Sequence, residues 1–333
     1  MTYLLAADIG GTKTDLAIFE VDRGFESPLL QATLASRDFE NFPQLLTNFL
    51  DKTKIQPDCA CFGVAGPVLN NRVKLTNLPW EIVGSDIAEQ FSLARVDIIN
   101  DLVAVASSIP HLTGGDLLVL KPGNRQERGA IGVVAPGTGL GIAFCVWDGR
   151  DYMACPSEGG HAGFSPANSE ELELLRYLLD HGIDISFESL CSGSGLPNIY
   201  RFLIESGGFA ESDWLREELV GAVDPTPVIV QAALGPGNSC PVCREALGFF
   251  AGILAEVCGN LAVTVLATGG IYIGGGIPPR ILSLLQQEGF VKRFASKGKM
   301  SGLLAGIPVS VIINAKAALI GAASYGLRDN GNK

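Results

Sequence analysis

Two strand–turn–strand units with glycine and threonine in their turns constrain the fold of this chain more than any other feature of its sequence. In the first unit, Gly10-Gly11-Thr12 joins the apolar run Tyr3 to Ile9 to an alternating run that ends at Val21. In the second unit, residues 135–141, Ala-Pro-Gly-Thr-Gly-Leu-Gly, lie between two further apolar runs. A recurrence of this kind predicts an internal duplication, with one unit in each of two lobes and a ligand cleft between the lobes.

The remaining patterns alternate between strand-like and helical, which predicts an α/β fold with a mixed sheet and helices in each lobe. One strand-like run ends at Asn100-Asp101, and this pair opens an apolar helix. From Glu170 onward the patterns are mostly helical. We predict a small α/β domain over residues 1–109 and a large α/β domain over residues 110–333, whose C-terminal helix can pack back on the small domain.

The charge balance indicates a small-molecule partner. The chain has 333 residues and a formal net charge of −11, and its basic residues are scattered. That distribution argues against binding to nucleic acid or to an anionic membrane surface. The N-terminus runs into a strand pattern without a basic region, which argues against a signal peptide. Together with eight cysteines, this predicts a reducing cytoplasm and free thiols.

The longest apolar stretch, Ala246 to Ile277, carries Glu256 and Asn260 in its middle. A charge at bilayer depth costs about 2.5 to 3.5 kcal/mol even on a lenient insertion scale. We therefore predict a buried core helix that ends near Thr268 rather than a membrane span.

A pair of cysteines, Cys240 and Cys243, has the spacing of a redox or zinc motif. No second pair and no nearby histidine completes a ligand set, so we interpret both as structural thiols.

The glycine turns have a structural and a functional interpretation. Glycine supplies the positive φ angles of a plain hairpin, which needs no ligand. In the functional interpretation, the backbone amides of such a turn approach phosphate oxygens, and the hydroxyls of Thr12 and Thr138 donate to them. Asp8, just before the first turn, can then hold Mg²⁺, usually through water. Two such turns favour a nucleotide site.

Six short motifs in order resemble the bacterial glucokinase family over nearly the whole chain. The resemblance is to the branch without repressors, within the superfamily of hexokinases, heat-shock chaperones and actin. It implies a ribonuclease H-like, actin-like ATPase fold and ATP-dependent phosphorylation of D-glucose at its 6-hydroxyl. The motifs are Asp8-Ile9-Gly10-Gly11-Thr12, Thr76-Asn77, Ile98-Ile99-Asn100-Asp101, Gly137-Thr138-Gly139-Leu140-Gly141, Glu158-Gly159-Gly160-His161 and Leu190 to Gly195.

The resemblance implies a role for each matched residue. Asp101 corresponds to the catalytic base and also touches the sugar, although Asn100 and Asp101 taken alone could simply cap a helix. The remaining sugar ligands would be Asn77, Asn100, Glu158, His161 and Glu188. The ATP ligands would be Asp8, Gly10, Gly11, Thr12, Gly137, Thr138, Gly139 and, on the adenosine side, Gly275, with Mg²⁺ at Asp8.

Departures from related branches limit what the resemblance implies. No cysteine cluster follows His161, so no zinc site is expected, and no helix-turn-helix precedes Asp8. Leu78-Pro79 replaces polar residues in the loop before Trp80, which leaves the hexose preference open. Alternatives are a kinase for mannose or fructose and a catalytically silent sugar- or ATP-binding regulator. The family resemblance also implies a homodimer.

Overall fold

The computed structural model describes residues 2–25, 27–75, 77–235 and 240–328. Thr76, part of one motif of the family resemblance, lies outside the described residues. The chain forms an α/β structure with two mixed sheets, as its sequence predicts.

The chain divides into two compact units after Leu117. The domain boundary after residue 109 stays a prediction. In the structure, two segments from later in the chain belong to the first unit. The first unit contains Met1–Leu117, Phe144–Pro156 and Asn314–Lys333, and the second contains Leu118–Ala143 and Ser157–Ile313.

The strands form two large sheets and one short ribbon. The five-stranded sheet has the order β3-β2-β1-β4-β7, the six-stranded sheet the order β11-β10-β9-β12-β13-β8, and β5 pairs with β6. The strands are β1 Tyr3–Ile9, β2 Lys13–Glu20, β3 Leu30–Ala35, β4 Cys59–Val64, β5 Arg72–Lys74, β6 Glu81–Val83, β7 Arg95–Asn100, β8 Leu117–Lys121, β9 Ile131–Pro136, β10 Leu140–Trp147, β11 Tyr152–Ser157, β12 Gly270–Ile273 and β13 Val309–Ile312.

Most of the helices follow β11 in the chain. The α-helices are α1 Phe42–Leu50, α2 Gly84–Gln90, α3 Asp101–Ser108, α4 Ser169–Asp180, α5 Leu196–Glu205, α6 Asp213–Gly221, α7 Pro225–Leu234, α8 Pro241–Thr264, α9 Leu282–Leu285, α10 Glu288–Ala295, α11 Ser301–Gly306 and α12 Ala317–Gly326.

In the first unit, β1 runs antiparallel to β2 and parallel to β4, and β4 runs parallel to β7. The aromatic core on one face of this sheet includes Phe42 and Phe62, whose rings meet edge to face at 5.0 Å, and the buried Trp80. Helix α12 packs closely on α3, because a Cβ atom at Gly321 would lie 1.6 Å from the carbonyl oxygen of Ala104. Glycine is therefore required at this helix crossing.

In the second unit, the parallel strands β9, β12 and β13 pack beside α8, which also contacts α5, α7 and α10. Helix α8 is long and apolar enough to cross a membrane by length and composition alone, but 67% of its apolar window is buried. Side chains such as Phe250 and Leu254 are fully buried in the protein core. The predicted core helix is therefore confirmed by the burial of its apolar side chains in the protein interior.

The predicted end of this helix near Thr268 is wrong by about one turn. The helix ends at Thr264, and Leu266 adopts a left-handed φ of 51°. The amide of Ala267 then donates to the carbonyl of Ala262 at 3.0 Å, as in a Schellman cap. Hydropathy does not show this end, because the cap carries apolar side chains.

Candidate active site

The first glycine turn closes the hairpin between β1 and β2. The amide of Gly10 donates to the carbonyl of Lys13 at 3.0 Å. Ser36 holds the turn from outside, because its hydroxyl donates to the carbonyl of Gly10 at 2.8 Å and its amide donates to that of Thr12 at 3.0 Å. The hairpin thus has a defined shape before any ligand binds.

Asn77 lies against this hairpin. A Cβ atom at Gly11 would come within 2.9 Å of the Cβ atom of Asn77, so the absence of a side chain at Gly11 allows the close approach. Asn77 is itself exposed, while its neighbours Leu78 and Trp80 are buried. The strands β5 and β6 on either side of this loop were not expected from the sequence, which predicts a loop there.

Three parallel strands end side by side at one edge of the first sheet. In the register, Ile9 of β1 pairs with Val64 of β4, which pairs with Asn100 of β7. One residue earlier, Asp8 is level with Gly63 and, through it, with Ile99. Ligand-binding residues collect at this edge in open α/β sheets.

Asn100 and Asp101 both lie at the start of α3. Asn100 is the N-cap, and its side-chain oxygen accepts from the amide of Leu102 at 2.9 Å while its amide nitrogen donates to the carbonyl of Gly66 at 3.2 Å. Asp101 is the first helical residue, and its Oδ1 also accepts from the amide of Leu102 at 2.9 Å. The helix therefore has a cap without Asp101.

Asp8 is buried near two other carboxylates and two lysines. Burial, followed by the charges of Asp101 and Asp15, raises the pKa of Asp8 from 3.8 to about 6. Burial alone would also raise the pKa of Asp15, but hydrogen bonds from Lys316, Thr33 and Lys13 outweigh burial and hold it below its ordinary value. A cation near Asp8 would relieve the repulsion among these carboxylates.

The second glycine turn, in the second unit, joins β9 to β10. The amide of Gly137 donates to the carbonyl of Gly139 at 2.8 Å across the turn. A loop from elsewhere in the unit holds its tip, because Gly193 donates from its amide to the carbonyl of Gly137 at 2.7 Å and Ser194 to that of Thr138 at 3.3 Å. The two turns thus share a hairpin form but are supported by different segments.

Glu158, His161 and Glu188 come together in the second unit. Nε2 of His161 lies 3.9 Å from Oε2 of Glu158, and its Nδ1 lies 3.9 Å from Oε1 of Glu188. Glu158 and His161 are exposed, while the side chain of Glu188 is only 30% exposed. Two acceptors and an imidazole at these distances can bind neighbouring hydroxyl groups.

A cavity of about 730 Å³ adjoins the second hairpin. Gly275 follows β12 and has a φ of 87°, and a Cβ atom there would lie 2.3 Å from the carbonyl oxygen of Pro136 at the end of β9. The cavity is large enough for a nucleoside. Its lining includes Gly137, Thr138, Asp224, Gly276, Arg201 and Arg280.

The carboxylate of Asp8 could hold Mg²⁺ together with water and phosphate oxygens. Among the residues that the structure describes, no group of three or more histidine, cysteine or acidic side chains could hold a metal ion. Mg²⁺ commonly takes one or two carboxylates and completes its shell with water and phosphate oxygens. The position of Asp8 near two other carboxylates suits that arrangement.

Several residues that shape these sites carry no signal in the sequence. Asp15 and Lys316 form an ion pair in the first unit, and Lys316 follows Asp15 by 301 residues in the chain. The cavity residues Asp224, Arg201 and Arg280 also carried no sequence signal. Such contacts join distant segments, so no local pattern announces them.

Comparison with known proteins gives one consistent family. The family model described as glucokinase matches residues 5–329. A glucokinase of Nostoc sp. is 41% identical in an alignment 338 residues long, gaps included. The alignment covers 97% of this chain and 98% of that protein.

Solved structures give the same result for the fold. The crystal structure of a glucokinase from an Antarctic psychrotroph has a TM-score of 0.86 and 32% identity, and the match covers 98% of each chain. The glucokinase from Balamuthia mandrillaris, solved in complex with glucose, has a TM-score of 0.78, with 97% of this chain and 93% of that chain covered. Its identity is 21%, so this likeness concerns the fold alone.

Proposed function

The chain belongs to the glucokinase family, which phosphorylates glucose, and we propose that Asp101 is the base that accepts the proton of the sugar 6-hydroxyl. In this proposal ATP is the phosphoryl donor and glucose 6-phosphate the product.

The observation that carries the proposal is the position of Asp101 at the edge of the first sheet. It begins α3, immediately after β7, while Asn100 supplies the cap of that helix. Phosphoryl transfer has a loose transition state, so the base mainly orients the hydroxyl and takes its proton late. A carboxylate at the start of a helix that Asn100 already caps is suited to this work.

The proposed sugar ligands have the chemistry that a neutral polyol requires. Each hydroxyl group both donates and accepts, so a set of carboxylates, amides and an imidazole distinguishes sugars by the position of their hydroxyl groups. Glu158, His161 and Glu188 would supply such groups from the second unit, and Asn77 and Asn100 from the first.

The two hairpins would bind the phosphates of ATP through their backbone amides. The residues at Gly10, Gly11 and Thr12 would act in the first unit, and those at Gly137, Thr138 and Gly139 in the second. Gly275 and the adjoining cavity would take the adenosine. When bound, Mg²⁺ would neutralise charge on the phosphates, and Asp8 would hold it, usually through water.

A coupled assay that follows ADP formation with glucose, mannose, fructose and no sugar tests the proposal. We expect sugar-dependent ADP formation with the highest kcat/KM for glucose. A higher kcat/KM with another hexose would overturn the substrate assignment. No ADP with any sugar, together with retained sugar binding in a thermal-shift scan, would indicate a regulator without turnover.

We also propose a cytoplasmic homodimer. All eight cysteines are free thiols, which suits a reducing compartment. The dimer rests on the family resemblance, and light scattering during size-exclusion chromatography measures it directly. A mass of one chain at micromolar concentration would overturn it.

A further inference from the structure

The carboxylate of Glu188 lies between two proposed binding regions. One is the hairpin of β9 and β10, called the nucleotide hairpin below, and the other contains the proposed sugar ligand His161. Its Oε2 accepts a hydrogen bond from the amide of Leu140 at 2.8 Å, where the hairpin enters β10. Its Oε1 lies 3.9 Å from Nδ1 of His161. One oxygen of this carboxylate thus contacts the nucleotide hairpin, and the other lies near the proposed sugar ligand His161.

The backbone of Glu188 is fixed on both sides. Its amide donates to the carbonyl of Gly160 at 2.9 Å, next to His161. Its carbonyl accepts from the hydroxyl of Ser192 at 2.7 Å, and a Cβ atom at Gly195 would lie 2.7 Å from the same oxygen. The backbone of Glu188 is therefore hydrogen-bonded to the segments that carry His161 and Ser192.

The absence of a side chain at Gly139 makes room for this contact. A Cβ atom at Gly139 would lie 2.5 Å from Oε2 of Glu188, so a side chain at Gly139 would displace the carboxylate. A few residues after Glu188, the same segment also holds the hairpin tip, through Gly193 on Gly137 and Ser194 on Thr138. The hairpin is thus attached at its tip and at its exit to one short segment.

We propose that Glu188 is a positioning residue that couples sugar binding to the conformation of the nucleotide hairpin. A sugar hydroxyl that binds Oε1 fixes the carboxylate plane, so Oε2 holds the amide of Leu140 and the hairpin in one arrangement. Such a coupling is reciprocal, so the nucleotide increases the affinity for the sugar by the same factor. This inference rests on the proposed function of the site.

Isothermal titration calorimetry of glucose, with and without magnesium and the analogue AMPPNP, measures the coupling factor. The variants are Glu188→Ala, Glu188→Gln and, as a matched control, Glu158→Ala, which removes a proposed sugar ligand outside the hairpin contact. We expect a coupling factor of about 5 or more in the wild type. It should fall to within twofold of one in Glu188→Ala, whereas Glu158→Ala weakens glucose binding and keeps the factor.

Glu188→Gln distinguishes geometry from charge. Its amide oxygen can still accept from Leu140, so we expect weaker glucose binding but a largely retained coupling factor. A factor near one in the wild type, or a factor in Glu188→Ala equal to that of the wild type, would overturn the inference and leave the proposed function standing. If glucose and AMPPNP fail to bind the wild type at all, the proposed function itself fails.

Hydrogen exchange of the wild type gives a second measurement that needs no variant. Glucose alone should slow exchange in peptides that contain the amide of Leu140, in addition to those that contain residues 158–161. Slower exchange confined to residues 158–161 would contradict the coupling.

Discussion

Asp8 and Asp15 lie directly opposite each other in the register of β1 and β2, and their pKa values move in opposite directions. Lys316, Thr33 and Lys13 stabilise the charge of Asp15, and this charge in turn disfavours ionisation of Asp8. The two carboxylates of the hairpin therefore differ: the environment favours the charged form of Asp15 and the neutral form of Asp8.

The raised pKa of Asp8 predicts a pH-dependent stability in the absence of metal. The folded-state pKa of about 6 exceeds the ordinary value of 3.8, so Asp8 contributes stability below pH 4 that is lost as the pH rises through 6. With a chelator present, Asp8→Asn should raise the free energy of unfolding by about 1 to 3 kcal/mol at pH 8 and leave it unchanged near pH 4. Urea unfolding at both pH values measures this, and an equal difference at both would contradict it.

Removal of the ion pair between Lys316 and Asp15 should destabilise the protein more at neutral pH than at low pH. Asp15 is 2% exposed, so Lys316→Met should destabilise the protein by about 1 to 3 kcal/mol at pH 7. The loss should shrink as the pH falls through the lowered pKa of Asp15, where this carboxylate becomes neutral. Lys13→Met is the matched control, because the side chain of Lys13 is 58% exposed and its removal should cost about 0.5 kcal/mol or less.

Asp101→Asn should separate turnover from binding. Loss of a general base typically lowers kcat by about 10² to 10⁴-fold. The affinity for AMPPNP should stay within about twofold of the wild type, and the melting temperature should change little, since Asn100 retains the helix cap. Steady-state kinetics and calorimetry test both parts. Glucose phosphorylation within tenfold of the wild type would remove Asp101 from the role of base.

Alanine substitutions at two neighbouring glycines, beside the cavity that adjoins the second hairpin, should differ in their effect on stability. Gly275→Ala combines a left-handed φ with a clash against Pro136, so we expect a loss of about 2 to 4 kcal/mol in the free energy of unfolding. Gly276→Ala places its Cβ atom in open space and should cost less than about 1 kcal/mol. Thermal unfolding compares the two variants, and equal losses would show that backbone strain is not the cause.

Local patterns predicted the parts of the fold that depend on neighbours in sequence. Both hairpin turns, the strand that ends at Asn100 and the core helix α8 follow from alternation, glycine placement and hydropathy. The short ribbon of β5 and β6 did not, because strands of three residues carry too few side chains to show an alternation.

The candidate site was predicted residue by residue, but not the way its parts are connected. The hydrogen bond from Leu140 to Glu188 joins residues 48 apart in the sequence. The path of the chain decides such contacts, and no motif encodes them. The sequence thus indicated the individual side chains, and the structure shows that Glu188 accepts from the amide of Leu140 and also lies 3.9 Å from His161.

The close crossing of α12 on α3 has a consequence for synthesis of the chain. Residues from Asn314 onward belong to the first unit, although the whole second unit precedes them in the sequence. On the ribosome, a nascent first unit must therefore wait for the last segment to emerge before Gly321 can reach Ala104. The N-terminal unit begins first and is completed last, so a premature stop codon near the end of the message would leave the β1–β4–β7 sheet without the helix that covers it.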